Sequence, residues 1–215
     1  MAAVTLAVDR YELGPLQTNC FVVRLERGAE EAVIVDPGGD VTQLRLELAR
    51  MGVRVAAILL THGHWDHVLG VADLAEATGA PVYLAEAELS ELQVGVAELL
   101  GAPAFRSFVP DQLLSGGETL ELAGLEIEVV AVPGHRPGHM AFATGECLFS
   151  GDVLFRGSVG RADLPGGDWP TLLATLEMLA LRFPPETVIY SGHGPETTLG
   201  AELRSNPFLT ELRTK

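Results

Sequence analysis

The sequence is poor in cysteine, in basic residues and in long apolar runs, and each shortage excludes a class of protein. Two cysteines among 215 residues are too few for a disulfide framework. No apolar run reaches the roughly 18 residues that a membrane-spanning helix requires. The N-terminal segment has neither a basic stretch nor a long apolar core, so no secretory signal is predicted. We therefore expect a cytoplasmic protein.

Basic side chains are outnumbered: 14 Lys and Arg stand against 29 Asp and Glu, for a net charge of −15. Nucleic-acid grooves and anionic membrane surfaces are bound by clusters of Lys and Arg, which this chain lacks. Most of the acidity is explained by solubility alone. The expected partner is a small molecule, with no nucleic acid and no membrane, and the oligomeric state is left open.

The hydrophobic pattern predicts strands and helices mixed in one domain that covers residues 1–215. Strands are predicted over residues 18–25, 32–36, 55–61, 82–84, 140–143, 147–150 and 187–190, with a hairpin over 119–132. Helices are predicted over residues 40–52, 68–79, 86–100 and 168–183. The spacing of Asp40 and Gln43 predicts a capping box, and Asp168 with Pro170 predicts the start of the last long helix.

Three of the six histidines lie within six residues, directly after the predicted buried strand 55–61. The segment reads His62-Gly63-His64-Trp65-Asp66-His67. On an extended backbone the side chains at 62, 64 and 66 point to one side, and a helix that begins near Asp66 turns His67 to another direction. One strand end can thus offer two imidazoles to one cation, and a carboxylate with an imidazole to a second. Such donors suit zinc, and also iron or manganese.

Further candidate ligands follow later strands, each beside a glycine. His135 follows residues 127–132, Asp152 follows the strand near 147–150, and His193 follows the last strand. Functional groups of layered α/β proteins gather at such strand ends. Together these residues predict a metal site rather than a set of polar turns.

The segment from His62 to His67, completed in chain order by His135, Asp152 and His193, resembles the metallo-β-lactamase superfamily. It is most similar to the glyoxalase II branch (hydroxyacylglutathione hydrolases), and within it to short bacterial proteins, of which residues 155–166 are typical. The resemblance implies an α/β fold, a four-layer αββα sandwich of two mixed β-sheets flanked by helices.

The same resemblance implies a pair of divalent metal ions at one edge of the sandwich, with zinc expected and iron or manganese as alternatives. The implied ligands of the first ion are His62, His64 and His135; those of the second are Asp66, His67 and His193, with Asp152 as the bridge. His139 matches a family histidine that supports the ligands and does not usually bind metal.

The expected reaction is hydrolysis of a thioester or related ester by a hydroxide that bridges the two metal ions. Two cations lower the pKa of a shared water from 15.7 towards neutrality. A leaving thiol with a pKa near 8.5 departs without a strong general acid. Asp66 and Asp152 are the expected catalytic carboxylates, and Asp66 could accept a proton transiently.

The use of glutathione is left open. Full-length glyoxalase II enzymes carry a C-terminal helical domain with basic contacts to the tripeptide, whereas 22 residues follow His193 here. Pro195 replaces an aromatic residue of the family, and Arg136 stands where the family often has Thr. Arg161 corresponds to a family Lys, so it is a candidate substrate contact. The alternative is that Arg161 is a loop residue that makes local hydrogen bonds and does not contact substrate.

Other functions on this fold give different expectations. A persulfide dioxygenase-like enzyme would hold a single iron and consume oxygen, whereas two metal equivalents favour hydrolysis. A lactonase or other ester hydrolase would share the ligands. Antibiotic hydrolysis is disfavoured by the missing export signal, and a ribonuclease by the charge. A binding module with an inactive site is disfavoured by the complete ligand set.

Overall fold

Two six-stranded β-sheets face each other in the computed structural model, which describes residues 6–90 and 106–209. The first sheet has the order β1-β2-β3-β4-β5-β6. Its strands are β1 (Ala7–Leu13), β2 (Thr18–Arg24), β3 (Glu31–Val35), β4 (Arg54–Leu59), β5 (Val82–Ala85) and β6 (Gln112–Leu114). The β1-β2 and β2-β3 pairs are antiparallel, and the pairs from β3 to β6 are parallel.

The second sheet has the order β14-β13-β10-β9-β8-β7, and only its β10-β13 pair is parallel. Its strands are β7 (Thr119–Leu122), β8 (Leu125–Ala131), β9 (Met140–Thr144), β10 (Cys147–Gly151), β13 (Val188–Ser191) and β14 (Thr197–Thr198). A small separate hairpin consists of β11 (Leu154–Phe155) and β12 (Ser158–Val159).

Helices cover the outer faces of both sheets. They are α1 (Thr42–Met51), α2 (Trp65–Val68), α3 (Val71–Thr78), α4 (Trp169–Arg182) and α5 (Leu199–Ser205), with a 3₁₀ turn at Glu86–Glu88. None of the described helices is both long and apolar enough to cross a membrane.

Alternation of side chains along the strands produces three buried layers. On β2, Phe21 and Val23 enter the core between the sheets, where they pack with Phe142 and Phe149 of the second sheet. The intervening Val22 faces the opposite way, into the core beneath α1 and α3. A third core joins the outer face of the second sheet to α4. The predicted αββα sandwich is confirmed.

Most predicted elements are present within a few residues, and the exceptions have local causes. Helix α1 begins at Thr42 with Val41 as its N-cap, so the predicted capping box of Asp40 and Gln43 is wrong. The Asp40 carboxylate instead accepts a hydrogen bond from the Thr42 N–H, 2.8 Å away, which closes a turn before the helix. The prediction for α4 is confirmed, because Asp168 caps it through the Thr171 N–H.

Two further helix predictions differ from the structure. The helix predicted over 68–79 is two helices, α2 and α3, which are separated near Gly70; the N–H of Gly70 donates to the Pro37 carbonyl. The helix predicted over 86–100 starts as the 3₁₀ turn Glu86–Glu88, and residues 91–100 lie outside the described ranges. Strand β1 was not predicted, since its alternation of partly buried and exposed residues is weak.

Candidate metal centre

The predicted ligands are carried by the segments that follow four strands, one from the first sheet and three from the second. His62, His64, Asp66 and His67 come after β4, and α2 begins within this segment at Trp65. The others follow one strand each: His135 after β8, Asp152 after β10 and His193 after β13. All seven side chains meet at one edge of the sandwich, in three overlapping groups that could each hold a metal ion.

Three imidazoles form the first group. His64 Nδ1 lies 2.9 Å from His62 Nε2 and 3.0 Å from His135 Nε2. The opposite nitrogen of His135 donates to the Arg161 carbonyl at 2.6 Å. The opposite nitrogen of His62 lies 3.0 Å from Thr61 Oγ1. These outer hydrogen bonds fix the tautomers of His62 and His135, so that their Nε2 lone pairs point towards His64 Nδ1 at a common centre.

Asp66, His67 and His193 form the second group, and Asp152 lies between the two groups. Asp66 Oδ2 is 3.6 Å from His67 Nε2 and 3.3 Å from His193 Nε2. Asp152 Oδ2 is 3.8 Å from His135 Nε2 and 3.6 Å from His193 Nε2. One Asp152 oxygen therefore faces a donor from each group, as a bridging carboxylate must.

Unpartnered buried atoms test whether a cation fits here. His67 Nε2 and Asp152 Oδ1 are both buried without a hydrogen-bond partner, and they lie 3.4 Å apart. The other His67 nitrogen lies 2.9 Å from Asp36 Oδ2 and donates a hydrogen bond to it, so Nε2 is the atom that can bind a cation. A bare imidazole nitrogen and a bare carboxylate oxygen are costly to bury unless a cation joins them. The residues present fit divalent metal ions.

The electrostatics of the cluster favour positive charge: burial by itself lowers the pKa of His67, but Asp152, Asp66 and Asp36 raise it well above its usual range. Burial, followed by the neighbouring imidazoles, holds the pKa of His62 well below its usual range and lowers the pKa of His64 to about 3. Both rings are therefore neutral near pH 7 and present lone pairs. Burial by itself raises the pKa of Asp66, but His67 and the hydrogen bond to His193 lower it to about 2. The carboxylates are ionised, and the centre attracts positive charge.

Supporting side chains that the sequence did not single out surround the cluster. Asp36 Oδ2 is close to His67 Nδ1 and also accepts the Thr61 hydroxyl, 2.7 Å away. Thr18 donates its hydroxyl to Asp66 Oδ2 at 2.9 Å. Glu88, fully buried, accepts the N–H of Gly63 between two of the histidines. Only Asp36 had a local signal, its place at the end of a strand before Pro37-Gly38-Gly39.

Gly192 lies so close to Asp152 and His67 that only glycine fits at this position. A Cβ on Gly192 would lie 2.2 Å from Asp152 Oδ1 and 2.6 Å from His67 Cε1. No side chain fits there without displacing one of these two residues.

The remaining predicted site residues have distinct positions. His139 is fully buried and stacks on His62, with ring centroids 4.6 Å apart, and neither of its ring nitrogens has a hydrogen-bond partner. Arg161 lines the cavity above the cluster, but its guanidinium is exposed and makes two 2.9 Å hydrogen bonds to Asp163. Arg136 is buried beside Glu88, with Nε 3.3 Å from Oε2.

A cavity of about 470 Å³ opens directly onto the candidate ligands. Its walls are mostly apolar and comprise Leu16, Trp65, Phe155, Val159 and Leu164. A larger cavity of about 570 Å³ lies against α1 and α3, but its described lining contains no histidine or carboxylate. Because a reaction needs its reacting groups within reach of the substrate, the smaller cavity is the candidate active site.

The fold and this donor cluster define a metal-dependent hydrolase with its site at the edge of an αββα sandwich. The family model of the metallo-β-lactamase superfamily matches residues 13–193. The chain belongs to this superfamily.

Three relatives are informative. Hydroxyacylglutathione hydrolase GloC of Haemophilus influenzae is 37% identical over 199 residues, which cover 90% of this chain and 93% of that protein. The crystal structure of BLEG-1 B3 metallo-β-lactamase superposes with a TM-score of 0.89 at 40% identity, and covers 95% of this chain and 100% of its own. TTHA1623 in a di-iron-bound form gives a TM-score of 0.84 at 44% identity, with 94% and 100% covered.

Proposed function

We propose that this protein hydrolyses thioesters of the hydroxyacylglutathione class with a pair of divalent metal ions. The observation that carries the proposal is the convergence of seven nitrogen and oxygen donor residues, five of which line an apolar cavity. The similarity to GloC, named a hydroxyacylglutathione hydrolase, supports the thioester.

In this proposal each ion has its own group of ligands. His62, His64 and His135 hold the first ion, Asp66, His67 and His193 hold the second, and Asp152 lies between them. When bound, the ions supply Lewis acidity, which lowers the pKa of a coordinated water and polarises a carbonyl. The donor set suits zinc and iron alike, and the di-iron form of TTHA1623 makes iron a specific alternative to zinc.

The protein's own residues then orient and bury the reacting groups. Thr18 holds the Asp66 carboxylate by its hydroxyl, while Asp36 holds the ring of His67. Asp66 lies at the cavity floor, where its carboxylate can hold a proton during turnover. Trp65 and Phe155 in the cavity wall exclude water from the acyl group.

The charge of the cavity bears on the thiol part of the substrate. Arg161 is the single Lys or Arg in the described lining, and Asp163 already neutralises it. A glutathione carboxylate in this cavity could therefore pair only with Arg161 among the described lining residues, and Arg161 already forms an ion pair with Asp163. We expect thioesters of small uncharged thiols to be hydrolysed at rates comparable to lactoylglutathione.

The test combines metal analysis with a substrate panel. Purified protein should contain about two metal equivalents and hydrolyse lactoylglutathione or a simpler thioester faster than a lactone. A β-lactam belongs in the panel because of the similarity to BLEG-1. If the protein instead contained one equivalent of iron and consumed oxygen when given a persulfide, the function would be that of a persulfide dioxygenase and not a hydrolase.

Two variants locate the reaction. His64→Ala should lose activity and metal while circular dichroism retains the folded spectrum, since His64 contacts both other imidazoles of the first group. Arg161→Ala is the matched control, because it lines the same cavity without belonging to a donor group, and it should keep the metal. Full turnover by His64→Ala would remove the metal from the mechanism.

A further inference from the structure

A buried ion pair lies behind the candidate metal ligands, between Glu88 and Arg136. Glu88 follows β5 in the 3₁₀ turn and is fully buried, and Arg136 is 4% exposed. Their side chains meet at 3.3 Å between Arg136 Nε and Glu88 Oε2. Burying two charges is costly, and apolar side chains often replace such a pair without loss of stability. Its presence beside the ligand loops therefore calls for a reason other than stability.

The carboxylate of Glu88 joins the two loops that carry the first ligand group. Its Oε2 accepts the N–H of Gly63 at 3.0 Å, and Gly63 lies between His62 and His64. Its Oε1 accepts the N–H of Gly138 at 2.9 Å, in the loop that carries His135. These two loops are 75 residues apart in the chain, counted from Gly63 to Gly138. One side chain thus sets the distance between the backbones of both loops.

Arg136 extends the connection to a third loop. Its Nη1 donates to the Pro165 carbonyl at 2.5 Å. Pro165 follows Leu164, which lines the cavity, and the same loop contains the Arg161 carbonyl that receives the His135 ring proton. The cavity wall and the metal ligands are therefore tied to one buried carboxylate.

We infer that Glu88 is a positioning residue that holds the first ligand group in its metal-binding geometry, and that Arg136 transmits this order to the cavity wall. The inference rests on the ligand assignment of the proposed function. Because Glu88 contacts backbone amides and not the ligand rings, it acts through His62, His64 and His135. Changes in such outer contacts typically weaken metal affinity 10- to 100-fold.

Glu88→Gln is the direct test, with Zn²⁺ alone as the probe. A glutamine has one acceptor oxygen, so one of the two glycine N–H groups loses its partner, and the negative charge beside Arg136 is removed. We expect Zn²⁺ affinity, measured by competition with a chromophoric chelator, to fall at least about tenfold. An unchanged affinity in a folded variant would overturn the inference, even if the melting temperature dropped.

Arg136→Lys separates the role of Glu88 in positioning the ligands from the role of Arg136 in ordering the cavity wall. Lysine keeps a positive charge next to Glu88, but it lacks the planar fork that reaches Nε and Nη1 partners at once. Zn²⁺ affinity should therefore stay within about twofold to threefold of wild type. KM for the thioester that the wild type hydrolyses should rise several-fold, while kcat changes less. A tenfold loss of metal affinity with unchanged KM would refute the role given to Arg136.

Two further variants keep the test decisive. Glu88→Gln with Arg136→Met removes both charges of the pair and serves if the single variant does not fold; it should still bind Zn²⁺ weakly. If neither the single nor the double variant folded, the ion pair would be required for folding and the inference would be overturned.

Asp9→Asn is the matched control, because it breaks the Arg24 ion pair at the far end of β2 and should leave Zn²⁺ affinity unchanged.

The wild type distinguishes this inference from the proposed function. If the wild-type protein bound no Zn²⁺ or other divalent ion, the proposed function would fail, and the inference with it. If the wild type bound metal and Glu88→Gln bound it equally well, only the inference would fail.

Discussion

Replacing Asp36 by Asn should reverse the tautomers of two candidate ligands without moving the backbone. The Asp36 carboxylate accepts the Thr61 N–H at 2.8 Å and the Thr61 hydroxyl at 2.7 Å, and it faces His67 Nδ1 at 2.9 Å. Asn keeps one acceptor oxygen but presents an NH₂ group to His67. The His67 proton then moves to Nε2, where the bare nitrogen is required. His62 is affected in turn, because its Nδ1 lies against the same hydroxyl.

The magnitude follows from these contacts. Loss of the correct tautomer should weaken metal binding about 10- to 100-fold, or roughly 1.4–2.7 kcal/mol. All three hydrogen bonds of the Asp36 carboxylate lose their charge in the Asn variant, so the free energy of unfolding of the metal-free protein should fall by about 2 kcal/mol. For a chain of this size that is a shift of about 4–8 °C in melting temperature. Backbone strain is not added, since Asn tolerates the left-handed φ of 50° at this position.

The assay is a chelator competition for the metal, with circular dichroism on the same samples. Asp111→Asn is the matched control, because Asp111 accepts a backbone N–H, from Val82, at the start of β5. Its metal affinity should equal that of the wild type. If Asp36→Asn bound metal within twofold of the wild type, the tautomer argument would be refuted.

Three further substitutions or probes give separate tests. Gly192→Ala should lose most of its metal and activity, because the new Cβ would overlap Asp152. A normal metal content in this variant would contradict the packing described. Asp163→Asn should lower KM for carboxylate-bearing thioesters about two- to fivefold by releasing Arg161, with no change for uncharged ones. Burial, and then the charge of Asp36, raises the pKa of Cys20 well above its usual range, so this thiol should resist alkylation in native protein at pH 8 and react once unfolded.

Sequence patterns predicted most strands and helices well because hydrophobic alternation is a local property, whereas the layers were implied by the family resemblance. Residues 18–25 were predicted as a strand, and β2 covers Thr18–Arg24 with its side chains divided between two cores. The capping of α1 was mispredicted, because Asp40 has two competing local hydrogen bonds and only the loop geometry selects one. Strand β1 was missed because its partner β2, and not its own pattern, makes it a strand.

The amino-acid sequence alone determined which donors are available and that each follows a strand or a tight turn. Type and spacing were enough for this, as with His62, His64, Asp66 and His67 on one short segment. Only the tertiary structure decided which ring nitrogen points inward. For His67 the inward nitrogen is set by Asp36, which is 31 residues away in the chain. The two ligand loops are held together by Glu88, which is 25 and 50 residues from Gly63 and Gly138. Contacts over such separations form when the sheets pack, and no local periodicity encodes them.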